Sequence, residues 1–215
     1  MQDNSVQFVA EQDEPGHYIE VNGHKIFGYS RYIELYRAVV DRAEDGARFV
    51  EVGSFLGQST AAMAALIAAS GKRITFDAID LFEINEYSDE PHYEVVKRHG
   101  GDFMAAFKYN LQQADVLDSV NIKQGYSTKI ARQYQDRSIS YIMIDASHAY
   151  SDVVDDIMSW MPKLKVGGVM SGDDFDWPEV RQAVYDTLGK ERIQEVGASW
   201  VYIKTKNDIT DDFSK

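Results

Sequence analysis

Apolar residues recur along the chain in two alternating patterns, one typical of β-strands and the other typical of α-helices. From residue 48 onward, short apolar runs bounded by glycine or polar residues predict strands, and longer segments with apolar positions three and four residues apart predict helices. This alternation favours an α/β fold, with a mostly parallel sheet, helices on both of its faces and an antiparallel hairpin at the C-terminal end. The predicted strands span residues 48–52, 73–79, 120–124, 139–144, 169–171, 192–196 and 200–204, and the predicted helices span residues 29–42, 57–70, 103–114, 128–135, 152–164 and 179–188.

The segments outside this alternation indicate how the chain is divided. Residues 1–28 are polar and irregular, with turn signals at Pro15-Gly16 and Asn22-Gly23. The expected parts are a helical or irregular N-terminal segment (residues 1–46), an α/β domain (47–206) that contains a polar loop or lid (82–101), and a loose tail (207–215).

The charge and composition of the chain limit the classes of partner that it can bind. A formal net charge of −13 at pH 7 repels phosphate backbones and anionic lipid headgroups, so we expect neither nucleic acid nor a membrane surface as a partner. The chain has no cysteine, which excludes disulfides, thiolate zinc sites and a cysteine nucleophile. Its first residues lack the features of a signal peptide, and its longest apolar run, residues 61–69, is too short to span a bilayer. We therefore expect a cytoplasmic protein.

The loop after the first predicted strand of the α/β domain indicates a ligand site. Gly53 and Gly57 allow a tight turn in which the backbone approaches a ligand at the start of the next helix. Phe55 stands where a dinucleotide fingerprint has its middle glycine, and no Gly-Lys-Ser/Thr follows, so a ligand without phosphates fits better. Asp80 ends the second strand, where a carboxylate can accept both ribose hydroxyls. Together these features predict a nucleoside site.

Three carboxylates follow two consecutive strands further along the chain. Asp145 ends one apolar strand, and Asp173 and Asp174 end the next. Strands joined by one right-handed crossover normally lie adjacent, so the carboxylates should converge and repel one another. A hard dication such as Mg²⁺ or Mn²⁺ would relieve that repulsion. The alternative is that Asp173 and Asp174 cap the following segment and Asp145 pairs with a lysine.

His148 lies three residues beyond Asp145. It could be a general base, a metal ligand or an ordinary surface histidine. Its position beside the predicted metal site favours a general base. The remaining histidines lack such a context and receive no role: His17, His24, His92 and His99.

These two groups of residues resemble the class I S-adenosylmethionine-dependent methyltransferases. The segments that carry the resemblance are Glu51-x-Gly53-x-x-x-Gly57-x-Ser59, Asp145-x-x-His148, Val166-Gly167-Gly168-Val169 and Asp173-Asp174. They are most similar to the metal-dependent small-molecule O-methyltransferases, the group that includes macrolide-sugar and aminocoumarin-sugar enzymes. The resemblance covers roughly residues 48–205 and implies a Rossmann-like, doubly wound, seven-stranded sheet.

The resemblance also implies roles for individual residues. Catechol-type relatives carry a lysine where this chain has His148, so a sugar-like or natural-product hydroxyl is the implied acceptor. Several aromatic residues are candidates for the acceptor pocket or, equally, for the core: Tyr29, Tyr32, Tyr36, Phe82 and Tyr87. The implied ligands of S-adenosylmethionine are Glu51, Gly53, Ser54, Phe55, Gly57 and Ser59 near its methionine part, Asp80 at the ribose, and Tyr126 and Ser127 near adenine. The implied metal ligands are Asp145, Asp173 and Asp174, with Asp145 and His148 as the catalytic residues.

Other functions stay open at this point. A metal-dependent hydrolase would explain the acidic cluster but leaves the glycine loop and Asp80 without a purpose. A module that binds S-adenosylmethionine without catalysis and a metal-independent methyltransferase are further alternatives. The expected partner is a small-molecule hydroxyl acceptor, and the resemblance makes a homodimer possible.

Overall fold

Strands and helices alternate along the chain in the computed structural model, which describes residues 7–9, 16–83, 94, 96–98 and 100–209. The strands are β1 (Gln7–Val9), β2 (His17–Val21), β3 (His24–Gly28), β4 (Arg48–Val52), β5 (Thr75–Asp80), β6 (Asn121–Gln124), β7 (Ile139–Ile144), β8 (Leu164–Gly172), β9 (Gln194–Val196) and β10 (Ser199–Ile203). The α-helices are α1 (Ile33–Arg42), α2 (Gln58–Ser70), α3 (Phe103–Gln113), α4 (Ser127–Ala131), α5 (Tyr150–Trp160) and α6 (Pro178–Leu188).

Parts of the sequence predictions fall outside this description. Tyr87, His92 and His99 are among the residues that are not described, as are residues 84–93 of the predicted lid and 210–215 of the predicted tail. Within the described residues, no helix combines the length and the apolar character that crossing a bilayer requires.

Seven strands form one sheet in the order β6-β5-β4-β7-β8-β10-β9. The strands from β6 to β8 run parallel, whereas β10 and β9 are antiparallel. Val52 of β4 lies opposite both Ile79 of β5 and Ile144 of β7, and Ile144 lies opposite Gly172 of β8. The carboxyl ends of these four strands therefore lie side by side. The predicted α/β fold, with a seven-stranded, mostly parallel sheet and a C-terminal antiparallel hairpin, is confirmed.

Alternate side chains of the central strands enter two separate cores, one on each face of the sheet. Phe49 of β4 packs with apolar residues of α1 and α2, whereas its neighbour Val50 packs with those of α5 and α6. Helix α2 lies deepest, because every residue from 58 to 67 is buried. Burying a large apolar side chain contributes about 1.5–3 kcal/mol. The two cores therefore hold the strand ends at fixed positions.

Residues 17–28 form an antiparallel hairpin, β2 and β3, where the sequence analysis expected irregular chain. Asn22 and Gly23, both with positive φ, form its two-residue turn. Ile19, Val21 and Ile26 of the two strands are fully buried against the core that contains α2. The expectation was wrong because a short isolated hairpin is marginally stable, and here packing against another element stabilises it.

Two further boundaries differ from the prediction. The helix predicted over 128–135 ends at Ala131. The strand predicted over 169–171 is longer in the structure, where β8 begins at Leu164 and contains Gly167 and Gly168. The N–H of Gly167 donates to the carbonyl of Lys204 at 2.8 Å, and the N–H of Lys204 donates to the carbonyl of Gly168 at 3.0 Å. Pairing with the chain after β10 therefore extends the strand through both glycines.

Gln58, the first residue of α2, fastens the hairpin to the α/β domain. Its side chain is buried, and its amide nitrogen donates to the carbonyl oxygens of His17 at 2.7 Å and Ile26 at 3.0 Å. Its amide oxygen accepts from the N–H of Ser30 at 3.0 Å. One side chain thus contacts both strands of the hairpin and the segment that follows it, which fixes the position of residues 28–32.

Replacing Gln58 with alanine should lower the free energy of unfolding by at least about 3 kcal/mol, because three buried or partly buried backbone groups lose their partners and each costs about 1–3 kcal/mol when left unsatisfied. Denaturant unfolding of the purified chain measures this change. Gln112→Ala, at an exposed position of α3, is the matched control and should change the value by less than about 0.5 kcal/mol. Equal stability of Gln58→Ala and wild type would show that this side chain does not hold the hairpin.

Candidate active site

The residues that follow the central strands continue the backbone pairing of the sheet. The N–H of Gly53, after β4, donates to the carbonyl of Ile79 at 2.8 Å, and the N–H of Asp145, after β7, donates to the carbonyl of Val52 at 2.8 Å. Asp173, after β8, extends the pairing with β7 in the same way. These hydrogen bonds align the strand ends into one edge, where open α/β sheets bind ligands.

The loop after β4 has a shape that depends on its glycines. Gly53 has φ +87°, and a Cβ atom there would overlap the carbonyl oxygen of Asp145. Gly57 has φ +86° and precedes the first residue of α2, with Leu111 of α3 2.5 Å from where its Cβ atom would lie. Phe55 also has a positive φ, of 45°. The loop therefore lies close to the strand ends, and the free N–H groups at the start of α2 point to the same edge.

Asp80 is joined to this loop. One of its carboxylate oxygens accepts from the N–H groups of Ser54 at 2.8 Å and Phe55 at 3.1 Å, and the other accepts from the N–H of Phe82 at 2.8 Å. Burial raises the pKa of Asp80, and these backbone donors act in the opposite direction. The structure thus brings the predicted ribose ligand and the predicted methionine loop together. The ribose role itself stays a prediction.

Glu51 lies beneath the loop. Its carboxylate is fully buried and accepts from the hydroxyls of Tyr36 at 2.7 Å, Ser54 at 3.1 Å and Thr60. Burial raises its pKa, while the hydroxyl donors favour its charged form. This network orders the side chains below the loop. Ser59, in the first turn of α2, is also buried. The predicted contact of Glu51 with a bound methionine group stays a prediction.

The loop after β6 lies beside Asp80. The N–H of Gly125 donates to the carbonyl of Asp80 at 2.9 Å. Tyr126 is exposed, and Ser127 accepts a hydrogen bond from the indole N–H of Trp160 at 2.7 Å. The predicted adenine-side residues therefore stand at the same sheet edge as the predicted ribose ligand.

An acidic cavity lies at the ends of β7 and β8. It is small, opens to solvent and is lined in part by Asp145, His148, Asp173 and Asp174. Burial, with added repulsion from Asp173 and Asp174, raises the pKa of Asp145 to about 8. Burial and the neighbouring Asp174 raise the pKa of Asp173 to about 6. The three carboxylates are therefore close enough to influence one another's ionisation.

Two neighbouring residues from the N-terminal segment engage these carboxylates. The Tyr32 hydroxyl donates to Asp145 Oδ2 at 2.6 Å. The Arg31 guanidinium lies 3.0 Å from Asp174 Oδ1 and 3.6 Å from Asp173 Oδ2. Residues 31–32 therefore supply a positive charge and a hydroxyl donor to this set, and the Ser199 hydroxyl donates to Asp173 Oδ1 at 2.9 Å.

The predicted metal ligands do not fit a metal ion in this arrangement. Their oxygens are of the type that Mg²⁺ and Mn²⁺ prefer. In the part of the chain that the structure describes, however, no three acidic, histidine or cysteine side chains are placed to hold an ion. Tyr32 and Arg31 use oxygens of Asp145, Asp173 and Asp174 instead. The alternative expectation that Asp145 pairs with a lysine also differs from the structure, in which Asp145 accepts from Tyr32 and an arginine, Arg31, pairs with Asp173 and Asp174.

His148 pairs with one of these carboxylates. Its Nε2 lies 2.8 Å from Asp174 Oδ2, and its ring lies 4.7 Å from the ring of Trp177, measured between centroids. The His148 side chain keeps about a quarter of its surface exposed, so a bound molecule could reach it. A carboxylate beside an imidazole orients the ring and stabilises its protonated form. This pair is suited to accepting a proton.

Several of these contacts have no counterpart in the sequence predictions. No local pattern points to Arg31, because it lies 143 positions from Asp174 in the chain. Tyr36 and Phe82, candidates for an acceptor wall, are buried in the core instead. Trp177 is also missing from the predicted site, although a tryptophan just before the helix predicted over 179–188 could have indicated it.

A sheet with this strand order, a glycine loop where the strand order switches and an acidic strand end beside it define a Rossmann-like fold. The chain belongs to the methyltransferase family whose model, described as a methyltransferase domain, matches residues 50–175. The prediction that the chain is a methyltransferase is thereby confirmed, and the alternative of a metal-dependent hydrolase is not supported. The comparison with curated protein sequences gave no significant match.

Solved structures with the same fold include several O-methyltransferases. The O-methyltransferase NovP is 17% identical with a TM-score of 0.64, covering 81% of this chain and 79% of its own. CalS11, a TDP-rhamnose 3'-O-methyltransferase of calicheamicin biosynthesis, is 15% identical with a TM-score of 0.53, covering 80% and 77%. A putative caffeoyl-CoA O-methyltransferase from Staphylococcus aureus is 16% identical with a TM-score of 0.57, covering 82% and 84%. These similarities establish the shared fold.

Proposed function

We propose that the chain is an S-adenosylmethionine-dependent O-methyltransferase that acts on a hydroxyl of a small molecule, with His148 as the general base. The observation that carries this proposal is the His148–Asp174 pair, 2.8 Å apart, in a cavity at the same sheet edge as the glycine loop and Asp80. The candidate proton acceptor and the residues predicted to bind the nucleoside thus lie at neighbouring strand ends of a methyltransferase domain.

The residues at the strand ends are suited to the cofactor. Gly53 leaves room for the backbone to approach a ligand, and the carboxylate of Asp80 has acceptor capacity for ribose hydroxyls beyond its backbone donors. The exposed ring of Tyr126 offers a face on which adenine could stack. When bound, S-adenosylmethionine supplies an electrophilic methyl group on its sulfonium. The cofactor site formed by the glycine loop and Asp80 would then lie beside the acidic cavity, at the ends of β4 and β7.

The chain's own part in the reaction is to orient the acceptor hydroxyl and remove its proton. A neutral hydroxyl is a poor nucleophile, so a positioned base contributes about 10²–10⁴-fold to the rate. His148 Nδ1 would take the proton, while Asp174, paired with Nε2, would hold the imidazole in place and stabilise its positive charge. Trp177, half-exposed beside His148, could pack against the acceptor. A sugar-like or natural-product acceptor fits the sequence resemblance.

Activation of the acceptor by Mg²⁺ or Mn²⁺ remains a prediction of the resemblance. It would require Asp145 to give up the Tyr32 hydroxyl, and Asp173 and Asp174 to give up Arg31. The side chains as they stand do not fit a metal ion, and the proton transfer to His148 does not require one.

Isothermal calorimetry with S-adenosylhomocysteine should show saturable binding to the purified chain. Asp80→Asn should weaken this binding about 10–100-fold, because a hydrogen bond to a charged group contributes about 1.5–3 kcal/mol. Asp118→Asn, an exposed acid before β6, is the control with the same charge change and should bind like wild type. Transfer of a labelled methyl group to a panel of glycosides, nucleotide sugars and phenols then tests catalysis. A folded wild-type chain that does not bind S-adenosylhomocysteine would refute the proposal.

A further inference from the structure

We propose that Arg31 is the resident cation of the acidic cavity and that its guanidinium keeps a divalent metal ion out. The contacts of Arg31 carry this inference, and only its consequence for catalysis rests on the proposed function. In that reaction Arg31 is a positioning residue, because it holds Asp174, and Asp174 holds His148.

The guanidinium of Arg31 contacts three carboxylates through three different nitrogens. Nη2 lies 3.0 Å from Asp174, Nη1 lies 3.5 Å from Asp176, and Nε lies 3.6 Å from Asp173. A planar group with donors pointing in several directions matches such a set better than a lysine would. The fourth carboxylate, Asp145, accepts from the hydroxyl of the next residue, Tyr32. Each acid of this set is therefore engaged by residues 31–32.

The backbone of this segment is held on both sides. Before it, the N–H of Ser30 donates to the buried Gln58 side chain, and a Cβ atom at Gly28 would lie within 3 Å of that same side chain. After it, Tyr32 is buried and precedes the first residue of α1. Arg31 is thus placed at the cavity by packing of the chain around it, although 46% of its own side chain is exposed.

A dication and this guanidinium exclude each other for two reasons. They need the same carboxylate oxygens, and a positive charge a few ångströms away raises the free energy of the bound ion. Without Arg31, the group of acids would lack its main counter-charge and would attract a dication. Removing the positive charge should therefore create metal affinity that the wild-type chain does not have.

Mn²⁺ titration of the full-length chain, with free Mn²⁺ counted by electron paramagnetic resonance, tests this inference. Arg31→Met should bind one Mn²⁺ at least about tenfold more tightly than wild type, which corresponds to about 1.4 kcal/mol. Arg37→Met is the matched control, because Arg37 is equally exposed (47%) and also pairs with an acid, Glu34, but lies on the surface of α1. It should bind like wild type. Adding Asp174→Asn to Arg31→Met should remove the gain.

Two results would overturn the inference. One is tight Mn²⁺ binding by wild type that Arg31→Met does not improve, and the other is a folded Arg31→Met protein that gains no Mn²⁺ affinity. Circular dichroism checks folding, and Arg31→Lys, which keeps the charge, should bind Mn²⁺ as weakly as wild type. Where methyl transfer is measurable, wild-type turnover should persist in EDTA, and its loss would also contradict the inference. The titration gives its answer even if the chain methylates none of the acceptors tried.

Discussion

His148→Gln should lower the rate of methyl transfer by about 10²–10⁴-fold while leaving the affinity for S-adenosylhomocysteine nearly unchanged. Glutamine can keep a hydrogen bond to Asp174, but its amide cannot take up a proton at neutral pH. The loss should therefore appear in kcat, whereas binding of the cofactor at the glycine loop and Asp80 does not involve this side chain. Single-turnover assays with labelled S-adenosylmethionine measure the rate, and calorimetry measures the affinity.

The control for this experiment is His24→Gln. His24 lies on the hairpin strand β3, contacts Asn110 of α3 at 3.2 Å and is not among the residues that line the cavity. Its replacement should leave kcat within about twofold of wild type, since the ring has no contact with the reacting groups. If His148→Gln turned over as fast as wild type at neutral pH, another group would have to be the base, and the proposed role of the His148–Asp174 pair would be wrong.

Gly53→Ala should abolish measurable binding of S-adenosylhomocysteine and lower the free energy of unfolding by about 2–5 kcal/mol. The new Cβ atom would overlap the carbonyl oxygen of Asp145, and overpacking of this kind typically costs about 1–3 kcal/mol. The positive φ of 87° adds about 1–2 kcal/mol for a residue with a side chain. The backbone must move apart at the junction of the loop and β7, which displaces both predicted ligand sites.

Gly46→Ala separates these two causes. Gly46 has a nearly equal φ of 83°, but a Cβ atom there would meet nothing within 4 Å. It should show only the backbone cost of about 1–2 kcal/mol and should keep cofactor binding. Urea unfolding and calorimetry on both variants provide the comparison. Equal losses of stability in the two variants, with cofactor binding retained in both, would show that the close approach of Gly53 to Asp145 has no role in the site.

The identity of the cation decides how this methyltransferase domain would activate its acceptor. A dication at Asp145, Asp173 and Asp174 would polarise the hydroxyl directly. With Arg31 in that place, the carboxylates serve to orient His148 and the segment that precedes α1. The Mn²⁺ titration distinguishes these two arrangements without any knowledge of the natural acceptor.

The sequence by itself determined the order of strands and helices in the α/β domain and the residues at the strand ends. Buried strands such as 139–144 and helices such as 58–70 have strong local periodicity, and right-handed crossovers leave few ways to arrange them. Strand ends of a parallel sheet share one edge, so these patterns are enough to assign Gly53, Asp80, Asp145 and His148 to the same edge.

Only the tertiary structure decided which groups meet these residues. The contacts of Tyr32 with Asp145 and of Arg31 with Asp174 join positions 113 and 143 residues apart. The hairpin that leads to them depends on Gln58, 41 residues from His17. Such contacts leave no periodic signal, because a side chain's partner across the fold depends on where separate elements pack. The acidic strand ends are visible in the sequence, but the arginine that neutralises two of them reaches them only in the folded chain.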